Sequence, residues 1–89
     1  MLILNKEEIT MIAYTIKVYL TDGDWGYVCP VGNGRWLLTY DVNDTVYFDT
    51  YNEARDYYYK KIKGSRANDT GAYVNSEKTC IIKVQGNCF

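Results

Sequence analysis

The chain has no histidine, a single proline and only two phenylalanines among its 89 residues. Without imidazole it lacks the commonest general base and the commonest neutral metal ligand. No serine stands in a nucleophile context, and Asp41, Asp44 and Asp49 fall in turn or capping positions rather than converging, so a non-enzyme is expected. Cys29, Cys80 and Cys88 make an odd count with no C-x-x-C pair to begin a zinc shell. Neither a metal nor any other cofactor is expected. No apolar run approaches the roughly 20 residues of a membrane-spanning helix, and Met1 to Leu4 is too short for a signal-peptide core. A cytoplasmic protein with reduced thiols follows, with Cys29 and Cys80 as small buried strand residues.

Charge is scarce as a net quantity. The balance of −1 argues against a nucleic-acid binder that neutralises many phosphates. Its distribution is uneven. Residues 1–49 hold three basic and seven acidic side chains, and residues 50–89 hold seven basic and four acidic.

What is abundant is tyrosine, ten residues of it, with two tryptophans. A large ring with a polar tip suits a surface that is dry when bound and wet when free. That points towards binding.

The first ten residues have two readings. Asn5 with Glu8 fits a short capped helix. Alternatively, codons for Lys6-Glu7-Glu8 can spell a purine-rich bacterial ribosome-binding sequence before Met11. Residues 1–10 would then be a non-native or flexible extension, and residues 11–89 the single domain.

Ala13 to Leu20 alternates as a half-buried strand, with Tyr14, Ile16, Val18 and Leu20 on one face. Turn residues Thr21 to Asp24 lead to a second strand, Trp25 to Val31, which Pro30 pushes to an edge or a strand end. Asn33-Gly34 marks a tight hairpin, with Trp36 to Asp41 returning. Thr45 to Phe48 is expected as a short fourth strand paired with the third. Thr50-Tyr51-Asn52-Glu53 is a capping box, and the helix it opens should run to about Lys63, before Gly64.

At about 100° per residue Tyr51, Ala54, Tyr58 and Ile62 form the inward stripe. Tyr57 and Tyr59 then fall at the two helix margins. Ala72 to Asn75 and Lys78 to Val84 supply one or two closing strands. The expected fold is α+β, a small antiparallel sheet of four to five strands with one helix packed on one face.

Two surfaces remain as candidates for a partner. One is the helix margin, with Tyr57 and Tyr59 beside Lys60, Lys61, Lys63 and Arg66. The other is the acidic, aromatic hairpin region of Asp22, Asp24, Trp25 and Tyr27, with Trp36, Tyr40 and Asp41 across the turn. Carboxylates interleaved with rings can imitate a nucleic-acid strand towards a basic groove. The expected function is a small phage or mobile-element inhibitor of a bacterial host protein, such as an antiviral defence nuclease, anti-CRISPR-like in its action. It would work by occlusion or acidic mimicry in the host cytoplasm. The alternatives are a single-stranded nucleic-acid binder using Tyr57, Tyr59 and the Lys60 to Arg66 basic run, and a self-associating structural protein, with a homodimer as one form.

Overall fold

The structure, a computed structural model, describes residues 10–87. The expectation for the amino-terminal extension therefore falls outside the described residues, apart from Thr10. Four antiparallel strands, β1 (Thr10–Tyr19), β2 (Trp25–Gly32), β3 (Arg35–Thr39) and β4 (Cys80–Asn87), form one sheet in the order β3-β2-β1-β4. Among the described residues, besides a one-turn 3-10 helix over Val42–Asp44, one helix, α1, runs as α-helix over Tyr51–Tyr57 and continues as a π-helical stretch over Tyr58–Ile62. This is the expected α+β fold. Among the described residues no helix is long and apolar enough to cross a membrane.

Local chemistry accounts for the connections. Asn33 and Gly34 both take positive φ, 55° and 73°, as the tight turn between β2 and β3 requires. Thr50 Oγ1 accepts the Glu53 N–H at 3.1 Å, and Glu53 Oε1 accepts the Thr50 N–H at 3.2 Å, which completes the capping box. At the other end the Lys63 N–H reaches the Tyr58 carbonyl at 2.8 Å, the five-residue spacing of a π-turn.

The expected fourth strand does not form. β1 and β2 pair only over Lys17↔Tyr27, Val18↔Gly26 and Tyr19↔Trp25, then diverge. Extending that register would set Tyr14 opposite Pro30, which has no N–H to donate. Thr45 to Phe48 enters the gap instead. Phe48 exchanges both backbone hydrogen bonds with Tyr14 at 2.8 Å, and the Val46 N–H donates to the Val28 carbonyl at 3.2 Å. The segment thus bridges β1 and β2 rather than pairing with β3. Ala72 to Asn75 likewise makes only isolated bridges, Arg66↔Tyr73 and Leu20↔Val74.

One sheet face carries the core. Ile16, Val18, Leu20, Val28, Trp36 and Leu38 point to it and meet Ile62, Ala67 and Val74. Trp36 is 2% exposed, and its indole N–H donates to Ser65 Oγ at 3.0 Å, so the largest core side chain leaves no polar atom unpaired. Gly26 lets β3 approach. A Cβ there would sit 2.7 Å from both the Thr39 carbonyl oxygen and Leu38 Cγ.

Candidate protein-binding surface

Strand parity puts Lys17, Tyr19, Trp25 and Tyr27 on the face opposite the core. Tyr19 stands across from Trp25, and Lys17 across from Tyr27. Their rings associate. Trp25 lies 6.4 Å from Tyr19 and meets Tyr27 edge-on at 6.2 Å, both within the range of favourable aromatic pairs. The Lys17 ammonium sits 4.6 Å from the Trp25 ring centroid and 5.4 Å from that of Tyr19. Hydrogen bonding to Tyr19 holds this ammonium above its ordinary pKa. Trp25 remains 42% exposed.

An acidic end adjoins this cluster. Asp22 Oδ1 accepts the Asp24 N–H at 2.9 Å, Asp24 Oδ1 accepts the Trp25 N–H at 2.9 Å, and Asp24 Oδ2 accepts the Tyr40 hydroxyl at 2.7 Å. Asp24 therefore holds the start of β2 to the end of β3. The Tyr40 phenol is pushed above its ordinary pKa, first by that hydrogen bond and then by desolvation and the nearby charges of Asp24, Asp69 and Asp22. Asp69 reaches this end from the loop before Tyr73. Asp41 serves a turn, accepting the Asn43 N–H at 2.9 Å, and its charge, after partial burial, raises the Tyr47 phenol.

Where β1 and β2 diverge the open face is sealed. Thr15 points away from the core, yet it is fully buried by the inserted segment. Its hydroxyl donates to the Val46 carbonyl at 2.7 Å, and that of Thr45 donates to the Val28 carbonyl at 2.6 Å. The two hydroxyl oxygens are 2.9 Å apart. The inserted segment is fastened to both strands by side chains as well as backbone.

The helix side differs from expectation in two places. Tyr57 is half-buried, its ring 5.2 Å from Phe48 and packed on the core, instead of lying at a wet margin. Tyr51 is 49% exposed and meets Tyr14 edge-on, so it does not belong to the inward stripe. Tyr58 packs inward as expected, but its buried hydroxyl has no partner. Tyr57 and Tyr58 follow the buried Ala54 by three and four residues, the spacing that turns both rings to its side of the helix.

Tyr59 stays at the margin, 57% exposed, with the Lys63 ammonium 4.9 Å from its ring, and Lys60 and Lys61 are exposed beside it. A cleft of about 320 Å³ separates this part of the helix from the start of β4, with Tyr51, Arg55, Tyr59, Thr79 and Cys80 on its walls. Cys80 is exposed and Cys29 partly so, unlike the buried pair expected.

The sequence-derived candidates therefore separate. Trp25, Asp22 and Asp24 come together at one end of the open face, and Asp41 lies near Tyr47 beyond it. Tyr59, Lys60 and Lys61 belong to the helix side, and Tyr57 is committed to packing. Trp36 leaves the candidate surface for the core. Sequence reasoning missed Lys17 and Tyr19, although both stood on the outward half of the first strand's alternation. Among the described residues no group of three side chains is placed to hold a metal. Comparison of the chain with protein-family models, with curated proteins and with solved structures returns no match.

Proposed function

We propose that the protein is a non-catalytic binding module whose partner surface is the open sheet face around Trp25, and that it acts as an inhibitor of a bacterial host protein. The observation that carries this reading is the exposed Trp25, flanked by the half-buried rings of Tyr19 and Tyr27, beside the acidic end formed by Asp22, Asp24 and Asp69. Aromatic anchors next to one sign of charge are what a tight interface uses, the rings for affinity and the charges for encounter. A basic groove with an apolar floor, such as the nucleic-acid path of a defence nuclease, has the complementary chemistry. Phage or mobile-element origin and a cytoplasmic place of action belong to the same proposal.

Affinity capture from a bacterial host lysate tests it, with Trp25→Ala as the paired bait. A protein retained by the native chain and lost by the folded variant supports the reading, and identical captures by both overturn it. Once a partner is in hand, charge reversal of Asp22 and Asp69 should slow association mainly, with a steeper effect at low salt.

The nucleic-acid alternative is less well supported, because the packing of Tyr57 on Phe48 leaves only Tyr59 of the two expected stacking rings free. A gel shift at low salt, where the electrostatic contribution is largest, separates the two readings.

A further inference from the structure

The two edges of the sheet are treated in opposite ways. At β3 the outward backbone groups of Trp36 are both taken: its N–H donates to Asn68 Oδ1 at 3.2 Å, and its carbonyl accepts the Asn68 N–H at 3.0 Å. That edge is also short, five residues, and irregular between Pro30 and Gly32. Such covering and bulging keep an edge from recruiting another strand. Among the described residues β4 has neither protection. It runs eight residues in unbroken register with β1, from Cys80 opposite Lys17 to Asn87 opposite Thr10.

The direction of its free groups can be worked out. Tyr14 gives both backbone hydrogen bonds to Phe48, on the side away from β4, so Tyr14 and Lys83 form a pair that is not hydrogen-bonded across the ladder. The N–H and C=O of Lys83 therefore point outward. By alternation so do those of Ile81, Gln85 and Asn87. Among the described residues these groups have no partner.

We propose that β4 pairs antiparallel with β4 of a second copy of the chain, about a twofold axis at Val84, joining two sheets into one. The register follows from length and charge. Only axes at Lys83 or Val84 overlap nearly the whole strand. An axis at Lys83 would set two ammonium groups directly opposite each other, which is destabilising.

At Val84 the pairing is self-complementary. Lys83 stands opposite the uncharged position 85 of the second copy, and Ile81 opposite position 87, each as a hydrogen-bonded pair. Val84 faces Val84 of the second copy in the close, non-hydrogen-bonded spacing. The half-buried Ile82 and Val84 of each copy then form one apolar row on the open face, next to Ala13. A second copy suits this edge because the strand's one charge is placed where only its own uncharged residues meet it. Closed twofold symmetry also ends the assembly at two, since pairing uses both β4 edges and the outer β3 edges are short and partly covered.

Sedimentation of the full chain reports the stoichiometry, and twice the chain mass of 10.3 kDa is expected at micromolar to millimolar concentration. Val84→Lys places like charges on the axis while leaving the core face untouched, and it should return the protein to a monomer with an unchanged circular dichroism spectrum. For register, Val84→Cys in a chain whose Cys29, Cys80 and Cys88 are serine should cross-link on mild oxidation faster than Lys83→Cys or Ile81→Cys. A native chain that stays monomeric at the highest concentration overturns the proposal. So does a dimer that survives Val84→Lys, or one whose preferred cross-link is not at position 84.

Discussion

The two faces of the sheet carry the same kinds of ring and put them to opposite uses. On the core face Trp36 of β3 is packed in the core with Ile62 at the helix end and Ala67 in the loop after it, and its indole N–H is paired with Ser65. On the open face Trp25 has two ring neighbours and an ammonium over it, but no layer above it among the described residues. Enclosure turns a ring into stability. A supported but uncovered ring is kept in one orientation at little entropic cost to a later encounter, which is how preorganised anchors work.

The largest expected effect is on the enclosed side. Trp36→Ala removes a fully packed side chain, and a loss of about 3–5 kcal/mol is expected in urea unfolding. In a small domain that is a large share of the total. Next, Gly26→Ala forces a methyl against the Thr39 carbonyl and Leu38, with an expected cost of about 1–3 kcal/mol and a detectable shift of β3 amide resonances.

Trp25→Ala, by contrast, should cost no more than about 1.5 kcal/mol while abolishing partner capture. If Trp25→Ala destabilised as much as Trp36→Ala, the distinction between the faces would fail.

The smallest effect is the most discriminating. Burial raises the phenol pKa of Tyr57, and burial with the neighbouring Tyr59 raises that of Tyr58. Tyr40 is raised chiefly by its hydrogen bond to Asp24. In all three the folded state holds the proton more tightly than the unfolded chain. Their contribution is therefore intact below the ordinary tyrosine pKa of about 10, and it is lost as pH rises through the folded values. An ultraviolet phenolate titration should show Asp24→Asn advancing the ionisation of Tyr40 alone, with Tyr57 and Tyr58 still late.

Much of the fold was legible in the residues because its signals were local. Asn33-Gly34 named its turn, Thr50 and Glu53 named the helix start, and the alternation from Tyr14 to Leu20 named the inward face of β1. The candidate site was legible only in part. Trp25, Asp22 and Asp24 are adjacent in sequence and stayed together. Trp36, five residues into the same hairpin stretch from Val31, looked equivalent to Trp25 but has the opposite strand parity relative to the core. Tyr57 was misplaced because the inward stripe was centred between Tyr51 and Tyr58 rather than on Ala54, three residues before Tyr57, and Asp69 because it arrives from a distant loop.

Pro30 shows where the boundary lies. The residue alone determined that one backbone donor is missing at that point, since a ring nitrogen has no proton to give. It did not determine what would replace the lost bonds. Only the tertiary structure decided that Phe48, eighteen positions later, would supply them to Tyr14, with Thr45 and Thr15 fastening the insertion. Turns, caps and strand faces depend on neighbours along the chain and can be read there. The fate of a ring, a free edge or an unpaired carbonyl depends on what the rest of the chain brings beside it.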